Sequence, residues 1–153
     1  MERLKGHPLL RAVRIDRLSL AALEATLRLY LDDGRLADSL PVLRMLAQGA
    51  RELEARAERL RGALVEVDGL DVRVGEGIGY AGGGSLPEEG IPSQVVTARA
   101  EGLGVDELAR RLRGHRPAVV GRIAAGRFVM DVRTVADGEV AEVAAAFRAV
   151  LAP

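Results

Sequence analysis

The chain has 153 residues, no cysteine, and a net charge of zero from 22 basic and 22 acidic side chains. That length suits one domain, or one domain with an appendage, and allows a core of its own. The balanced charge does not point to nucleic acid or an anionic membrane as a partner, and the lack of cysteine excludes disulfides, thiolate catalysis and thiolate metal ligands. No apolar run approaches the ~20 residues of a membrane span and no signal peptide is recognisable, so we expect a cytoplasmic protein.

Lysine and histidine are too scarce for two common kinds of site. Lys5 is the only lysine, and it lies in an N-terminal segment that we expect to fray, so no buried lysine is available to form an imine. The two histidines, His7 and His115, lie far apart and have no metal-ligand spacing. A histidine in a turn is more often solvated or bound to a backbone group than bound to a metal.

Two long helices are expected in the first part of the chain. The first lies within residues 6–31 and is apolar except for a narrow stripe of Arg17, Glu24 and Arg28, of which Glu24 and Arg28 are spaced to form an ion pair. A surface helix needs only one apolar stripe, so we expect a part of the protein beyond this chain to cover it. The second helix is expected over residues 41–64, with a heptad seam that favours an antiparallel hairpin with the first helix. The seam consists of Leu43, Leu46, Ala50, Leu53, Ala57, Leu60 and Leu64.

After residue 65 the composition changes to glycine and β-branched residues, which indicates a small sheet. The predicted elements are strands over 70–74 and 93–100, a helix over 106–113, a hairpin of 118–123 and 127–132, and a last helix over 139–151. The fold class is therefore α+β: two long helices, then a mostly antiparallel sheet with helices on one face. We expect a helical arm over residues 1–66 and a small α+β domain over 67–153.

A glycine-rich stretch at residues 77–82 matches the string G-x-G-x-x-G. A dinucleotide site needs a strand before that string and a helix after it. Here more glycine and then Pro87 follow, and a proline disfavours helical geometry in the residue before it. We therefore predict a tight irregular connection, in which glycine supplies positive φ or close backbone approach. The alternative is a backbone surface held near a ligand, which would include Gly83, Gly84 and Ser85 as a loop near an active site.

Arg11 and Arg14 are candidates for binding an oxyanion. On a helix, their i,i+3 spacing would put both guanidinium groups on one side, where they could clamp one tetrahedral anion. The alternative, which spacing alone favours, is that they pair with Asp16 or another carboxylate, or lie in water. Three further charged residues, Arg122, Asp131 and Arg133, suggest salt bridges across the hairpin. We find no Ser-His-Asp set, carboxylate pair or metal cluster in the sequence.

Three blocks of the sequence resemble one family. Residues 7–16, HPLLRAVRID, continuing as LSLAALEATLRLYL, resemble the bacterial selenocysteine synthases, the L-seryl-tRNA(Sec) selenium transferases. Two later blocks agree, GGGSLPEEGIPS at residues 82–93 and PAVVGRIAAGRFVMDVRT at residues 117–134. The resemblance covers nearly the whole chain, and its main departure is Arg17, where lysine is expected and the charge is kept.

The resemblance implies a fold-type-I pyridoxal-phosphate enzyme whose cofactor lysine lies in a large domain just upstream of the His-Pro motif. This chain is then the C-terminal portion, resembling the C-terminal domain of such enzymes, with no cofactor of its own and no activity alone. The complete family enzyme converts seryl-tRNA(Sec) to selenocysteinyl-tRNA(Sec) with selenophosphate and assembles as a ring of dimers, with tRNA held mainly by other regions. Arg11 and Arg14 match the arginines of its RAxR motif, and by this resemblance bind the selenium donor.

Two other functions stay open at this stage. One is a related pyridoxal-phosphate enzyme that acts on an amino acid or amino sugar without tRNA. The other is a non-enzymatic helical module that binds a partner through the heptad seam.

Overall fold

A computed structural model describes residues 7–31, 34, 36–81 and 86–152. Backbone contacts divide the chain into two compact units, Met1–Ala47 and Gln48–Pro153. The first unit is helical and the second is α+β. The sequence analysis put the boundary between the helical arm and the α+β domain after residue 66. That boundary would have assigned the long helix of the second unit to the arm.

The described part of the first unit contains three short helices and one longer apolar helix. Its elements are α1 (Leu9–Ala12), α2 (Arg17–Leu29), α3 (Leu36–Ser39) and α4 (Pro41–Ala47). Helix α2 begins after Asp16, whose carboxylate accepts hydrogen bonds from the backbone N–H groups of Leu18 and Ser19 at 2.8 and 3.0 Å. The expected ion pair between Glu24 and Arg28 is confirmed, with 2.8 Å between Arg28 Nη2 and Glu24 Oε1.

Helix α2 carries apolar side chains that the described structure leaves in contact with solvent. None of its residues is buried. Leu18 is 84% exposed and Leu27 is 56% exposed. A helix interior this rich in leucine normally gains its stability by burying those side chains. The apolar surplus seen in the sequence is thus present in the structure as exposed surface.

The second unit is a four-stranded antiparallel sheet with three helices. Its elements are α5 (Ala50–Val65), β1 (Leu70–Ala81), β2 (Leu86–Ala100), α6 (Val105–Gly114), β3 (Arg122–Ala124), β4 (Arg127–Asp131) and α7 (Val140–Leu151), with 3₁₀ turns at Val132–Thr134 and Asp137–Glu139. The strand order is β1-β2-β4-β3 and every pairing is antiparallel. The predicted α+β class and antiparallel sheet are confirmed.

The hydrophobic core lies between one face of the sheet and the three helices. Alternate residues of β2 and β4 face it, so that Val96 is paired with Met130 and Ala98 with Phe128. The Phe128 ring meets Phe147 of α7 edge to face, with 5.9 Å between ring centroids. The remaining buried side chains come mainly from the helices: Leu53, Ala57, Leu60, Leu64, Leu108, Ala109, Leu112, Val143, Ala144 and Ala146.

The prediction of one helix over residues 41–64 is wrong. The structure has α4 and α5 as separate helices, and α5 begins after Gly49, which has extended backbone at the N-cap. The seam of α5 is buried in the core of the α+β unit rather than in a helical hairpin. Because a stripe with a period near 3.5 residues suits a sheet face as well as another helix, periodicity did not identify the partner.

The prediction of an irregular connection is wrong for Gly77 and Gly79, since both lie within β1. Neither has a positive φ, and each lies where a side chain comes close. A Cβ on Gly77 would lie 2.5 Å from Cγ1 of Val95, and a Cβ on Gly79 would lie 3.3 Å from Oδ2 of Asp131. The glycines therefore allow close approach, as expected, but inside a strand. The rejection of a dinucleotide site stands, because β1 leads into an antiparallel strand.

The predicted hairpin is confirmed as β3 and β4, paired from Arg122 with Val129 to Ala124 with Arg127. Its turn residues Ala125 and Gly126 have φ of 49° and 69°. Positive φ at both central residues is the geometry of a type I′ turn, whose twist matches that of the strands.

Candidate functional site

Arg11 and Arg14 do not share a helix. Arg11 lies in the single turn of α1, whereas Arg14 lies beyond the C-cap Val13, in the link to α2. Both residues are exposed. The i,i+3 argument for a shared helical side therefore fails, and any joint binding of one anion depends on the conformation of this link.

Neither arginine is engaged by the carboxylate next to it. Asp16 uses its Oδ2 to accept from the Ser19 hydroxyl at 2.6 Å and its Oδ1 for the N–H groups that cap α2. The hydrogen bond from the Ser19 hydroxyl is the main reason why the pKa of Asp16 is lowered. Over the described residues, the side chains of Arg11 and Arg14 make no hydrogen bond or ion pair. No described residue therefore occupies either guanidinium group.

The two histidines contact backbone groups. The Leu9 N–H donates to His7 Nδ1 at 3.3 Å, and His115 Nδ1 lies 2.9 Å from the carbonyl oxygen of Pro117. In the part of the chain that the structure describes, no group of three or more His, Cys, Asp or Glu side chains could hold a metal ion. No described helix is long and apolar enough to cross a membrane.

The proposed loop of Gly83, Gly84 and Ser85 lies outside the described residues. Ser93, the last residue of the same sequence block, is described and is 5% exposed. Ser93 donates to Asp131 Oδ1 at 2.6 Å, and the backbone N–H of Arg133 donates to the same oxygen at 3.0 Å. The guanidinium of Arg133, which is also buried, donates to the Pro92 carbonyl at 2.7 Å. Two of the family-like blocks thus meet in one polar cluster of Pro92, Ser93, Asp131 and Arg133.

This polar cluster replaces the salt bridges predicted among Arg122, Asp131 and Arg133. Asp131 lies at the end of β4, so its carboxylate faces β2 and the following turn instead of β3. One sequence signal could have located this polar cluster. Side chains alternate between the two faces of a sheet along each strand, which puts Ser93 of β2 and Asp131 of β4 on the face opposite the core.

The salt bridge that does cross the sheet joins Arg127 of β4 to Asp71 of β1. Arg127 donates to Asp71 Oδ2 at 2.6 Å and to the hydroxyl of the intervening Thr97 at 2.9 Å. The hydrogen bond from Arg127, followed by that from Arg73, lowers the pKa of Asp71 to about 2. This network lies on the solvent side of the sheet and joins three of its strands, which indicates a structural role.

Comparison with known proteins decides the family. A sequence model of the L-seryl-tRNA selenium transferase family matches residues 1–136. The chain belongs to this family. Both arginines of the RAxR motif and the Ser93–Asp131 contact lie within the matched residues.

Individual family members agree over almost the whole chain. It is 51% identical over 147 residues to the L-seryl-tRNA(Sec) selenium transferase of Hyphomonas neptunium, an alignment that covers 96% of this chain and 32% of that relative. The transferase of Desulfomicrobium baculatum is 46% identical over 154 residues, covering 99% of this chain and 33% of the relative. The transferase of Aquifex aeolicus is 41% identical over 135 residues. The chain spans about a third of the length of the curated relatives that it matches.

Proposed function

We propose that this chain is the C-terminal portion of an L-seryl-tRNA(Sec) selenium transferase, which converts seryl-tRNA(Sec) to selenocysteinyl-tRNA(Sec) with selenophosphate. The single observation that carries the proposal is the family match over most of the chain, together with alignments that cover a third of each relative. The proposal includes the substrates of the whole protein, its assembly as a ring of dimers and its likeness to fold-type-I enzymes.

Pyridoxal phosphate is held as an imine of a lysine amine, and Lys5 is the only lysine of this chain. The cofactor lysine would come from another part of the complete protein, and we expect this chain alone to be inactive. When bound there, the cofactor would supply the electron sink for chemistry at the seryl group.

The role that we assign to this chain's own residues is binding the anionic selenium donor. Arg11 and Arg14 are exposed, are close in sequence and have guanidinium groups that no described residue occupies. A guanidinium presents donors in a planar fork that suits a tetrahedral oxyanion and keeps its charge at all physiological pH values. Asp16 does not compete for these groups, because its carboxylate caps α2.

The test compares Arg11→Ala and Arg14→Ala with Arg28→Gln in the full-length enzyme. Loss of one charge-assisted hydrogen bond costs about 1.5–3 kcal/mol, so each alanine variant should lower kcat/KM for selenophosphate by roughly 10- to 150-fold. The affinity for seryl-tRNA(Sec) should stay unchanged. Arg28 is the matched control, since it is exposed and pairs with Glu24. Normal donor kinetics in both alanine variants would refute the assignment.

A further inference from the structure

The outer half of the β1–β2 ribbon extends beyond the rest of the sheet. Strand β2 is paired with β4 only from Val95 to Ala98, whereas its pairing with β1 continues outward to Ala81. In this outer half, β1 and β2 have only each other as strand partners among the described residues. The ribbon is therefore a projection of the α+β unit.

The face of β1 that lines the core continues onto this projection, where its side chains are exposed in the part of the chain that the structure describes. Leu70, Val72 and Val74 pack against the core. On the same face, beyond Glu76, Ile78 is 53% exposed and Tyr80 is 61% exposed. Large apolar side chains that continue a core face beyond its helices form a surface that another protein segment can cover.

This exposed face borders a groove of about 530 Å³ beside the first turn of α5. The groove is lined by Leu53 of α5 and by Ile78 and Pro92 of the ribbon, with Glu54 and Glu76 also among its lining residues. Two carboxylates disfavour the phosphates of a nucleic acid at this surface. An apolar protein segment with a basic side chain suits the groove better.

The polar cluster of Pro92, Ser93, Asp131 and Arg133 fixes the ribbon where it leaves the sheet. Its hydrogen bonds from Ser93 to Asp131 and from Arg133 to Pro92 begin directly after the last β2–β4 pair. Asp131 also lies against β1, where Gly79 leaves room for its carboxylate. Side chains of β4 and the following turn thus bind β2 beyond the last backbone pair between the two strands. These contacts hold the apolar face of the ribbon in one orientation.

We propose that the exposed ribbon face of Ile78 and Tyr80 is a docking surface for the part of the same polypeptide that this chain does not include. The curated relatives are about three times as long as the aligned region, so a tethered protein segment of ample size is at hand. The inference rests on the proposed function only in taking the chain to be part of a longer transferase.

The experiment places a photoreactive benzoylphenylalanine at position 80 of the full-length protein and identifies crosslinked peptides by mass spectrometry. We expect crosslinks to peptides outside residues 1–153, with no increase in subunit mass on a denaturing gel. A crosslinked dimer band, a crosslink to tRNA(Sec), a crosslink within residues 1–153, or no crosslink at all would overturn the proposal. The matched control carries the probe at Ile123, a half-exposed strand residue at the other edge of the sheet. The same crosslinked peptides from both positions would also overturn it.

A second variant tests the apolar character of the contact. Ile78→Glu should reduce the crosslinking yield at position 80 at least fivefold, while Ile123→Glu should leave it unchanged. Undiminished yield in Ile78→Glu would show that the apolar face does not form the contact. The donor kinetics of the Arg11 and Arg14 variants are measured separately, so failure of the docking proposal and failure of the proposed function give different results.

Discussion

Arg56 offers a direct test of how the α+β unit is held together. It lies on α5 and is 3% exposed. Its guanidinium donates to Asp137 Oδ1 at 2.7 Å, to Glu52 Oε1 at 2.8 Å and to the carbonyl oxygen of Val132 at 3.3 Å. One buried cation thus joins α5 to both 3₁₀ turns before α7. Arg56→Ala removes all three hydrogen bonds and the packing of the aliphatic stem.

The size of the effect follows from which partners remain buried. Glu52 and Asp137 keep side-chain exposures of 50% and 60%, so water solvates them once Arg56 is gone and their ion pairs contribute little. The Val132 carbonyl keeps its hydrogen bond from the Val135 N–H at 3.3 Å, so the loss of its arginine donor costs about 1 kcal/mol. With the lost stem packing, we expect Arg56→Ala to lower the free energy of unfolding by about 2–3 kcal/mol. Arg56→Met keeps the stem volume and should cost about 1–2 kcal/mol.

Urea denaturation followed by circular dichroism measures these differences. Arg61→Ala is the control on the same helix, because Arg61 is 44% exposed and pairs only with Glu58 among the described residues. Its effect should stay within about 0.5 kcal/mol. Equal small losses in Arg56→Ala and Arg61→Ala would refute the reasoning that the buried guanidinium joins these elements.

Three further predictions concern the sheet. Asp71 should titrate near pH 2 by carboxyl NMR, because Arg127 and then Arg73 hold its pKa at about 2. The stability that its ionised form adds is present above the unfolded pKa of 3.8 and is lost as pH falls toward 2. An Asp71 pKa that stays at about 2 in Arg127→Gln would contradict this cause. Gly121→Ala should destabilise by about 1–3 kcal/mol in urea denaturation, because its Cβ would lie 2.7 Å from the Val129 carbonyl oxygen, whereas Gly75→Ala, with open space around it, should not. Ala125→Asn should raise the free energy of unfolding by about 0.5–1 kcal/mol, because asparagine tolerates the φ of 49° in this turn, and a loss would argue against the type I′ geometry.

The elements whose signals are local were predictable from the sequence. The helix over 106–113 and the hairpin around Ala125 and Gly126 are specified by residues close in sequence, and the structure has both. The Glu24–Arg28 pair is likewise fixed by helix geometry alone. In each case the interaction that specifies the element lies within about ten residues.

The elements that depend on distant partners were not predictable. Gly77 and Gly79 indicate a loop in isolation, yet they are strand residues because Val95 and Asp131 occupy the space above them. Pro92 also argues against a strand, but β2 is an edge of the sheet there, where a missing N–H is tolerated. The heptad seam of α5 predicted packing against another helix, but its residues pack in the core beneath the sheet.

The candidate site shows the same division. The sequence singled out Arg11 and Arg14 as candidates for binding an oxyanion, but the helix that was to align them ends between the two residues. The polar cluster was not predicted, because Ser93 lies 38 residues from Asp131 and Pro92 lies 41 residues from Arg133 in sequence. Only the register of β2 against β4 brings them together.

The most direct measurement is seryl-to-selenocysteinyl conversion on tRNA(Sec) by the protein extended upstream through its natural reading frame. Conversion that requires both pyridoxal phosphate and selenophosphate is the expected result. Cofactor binding without conversion of seryl-tRNA(Sec) would contradict it and indicate a relative that acts on another substrate.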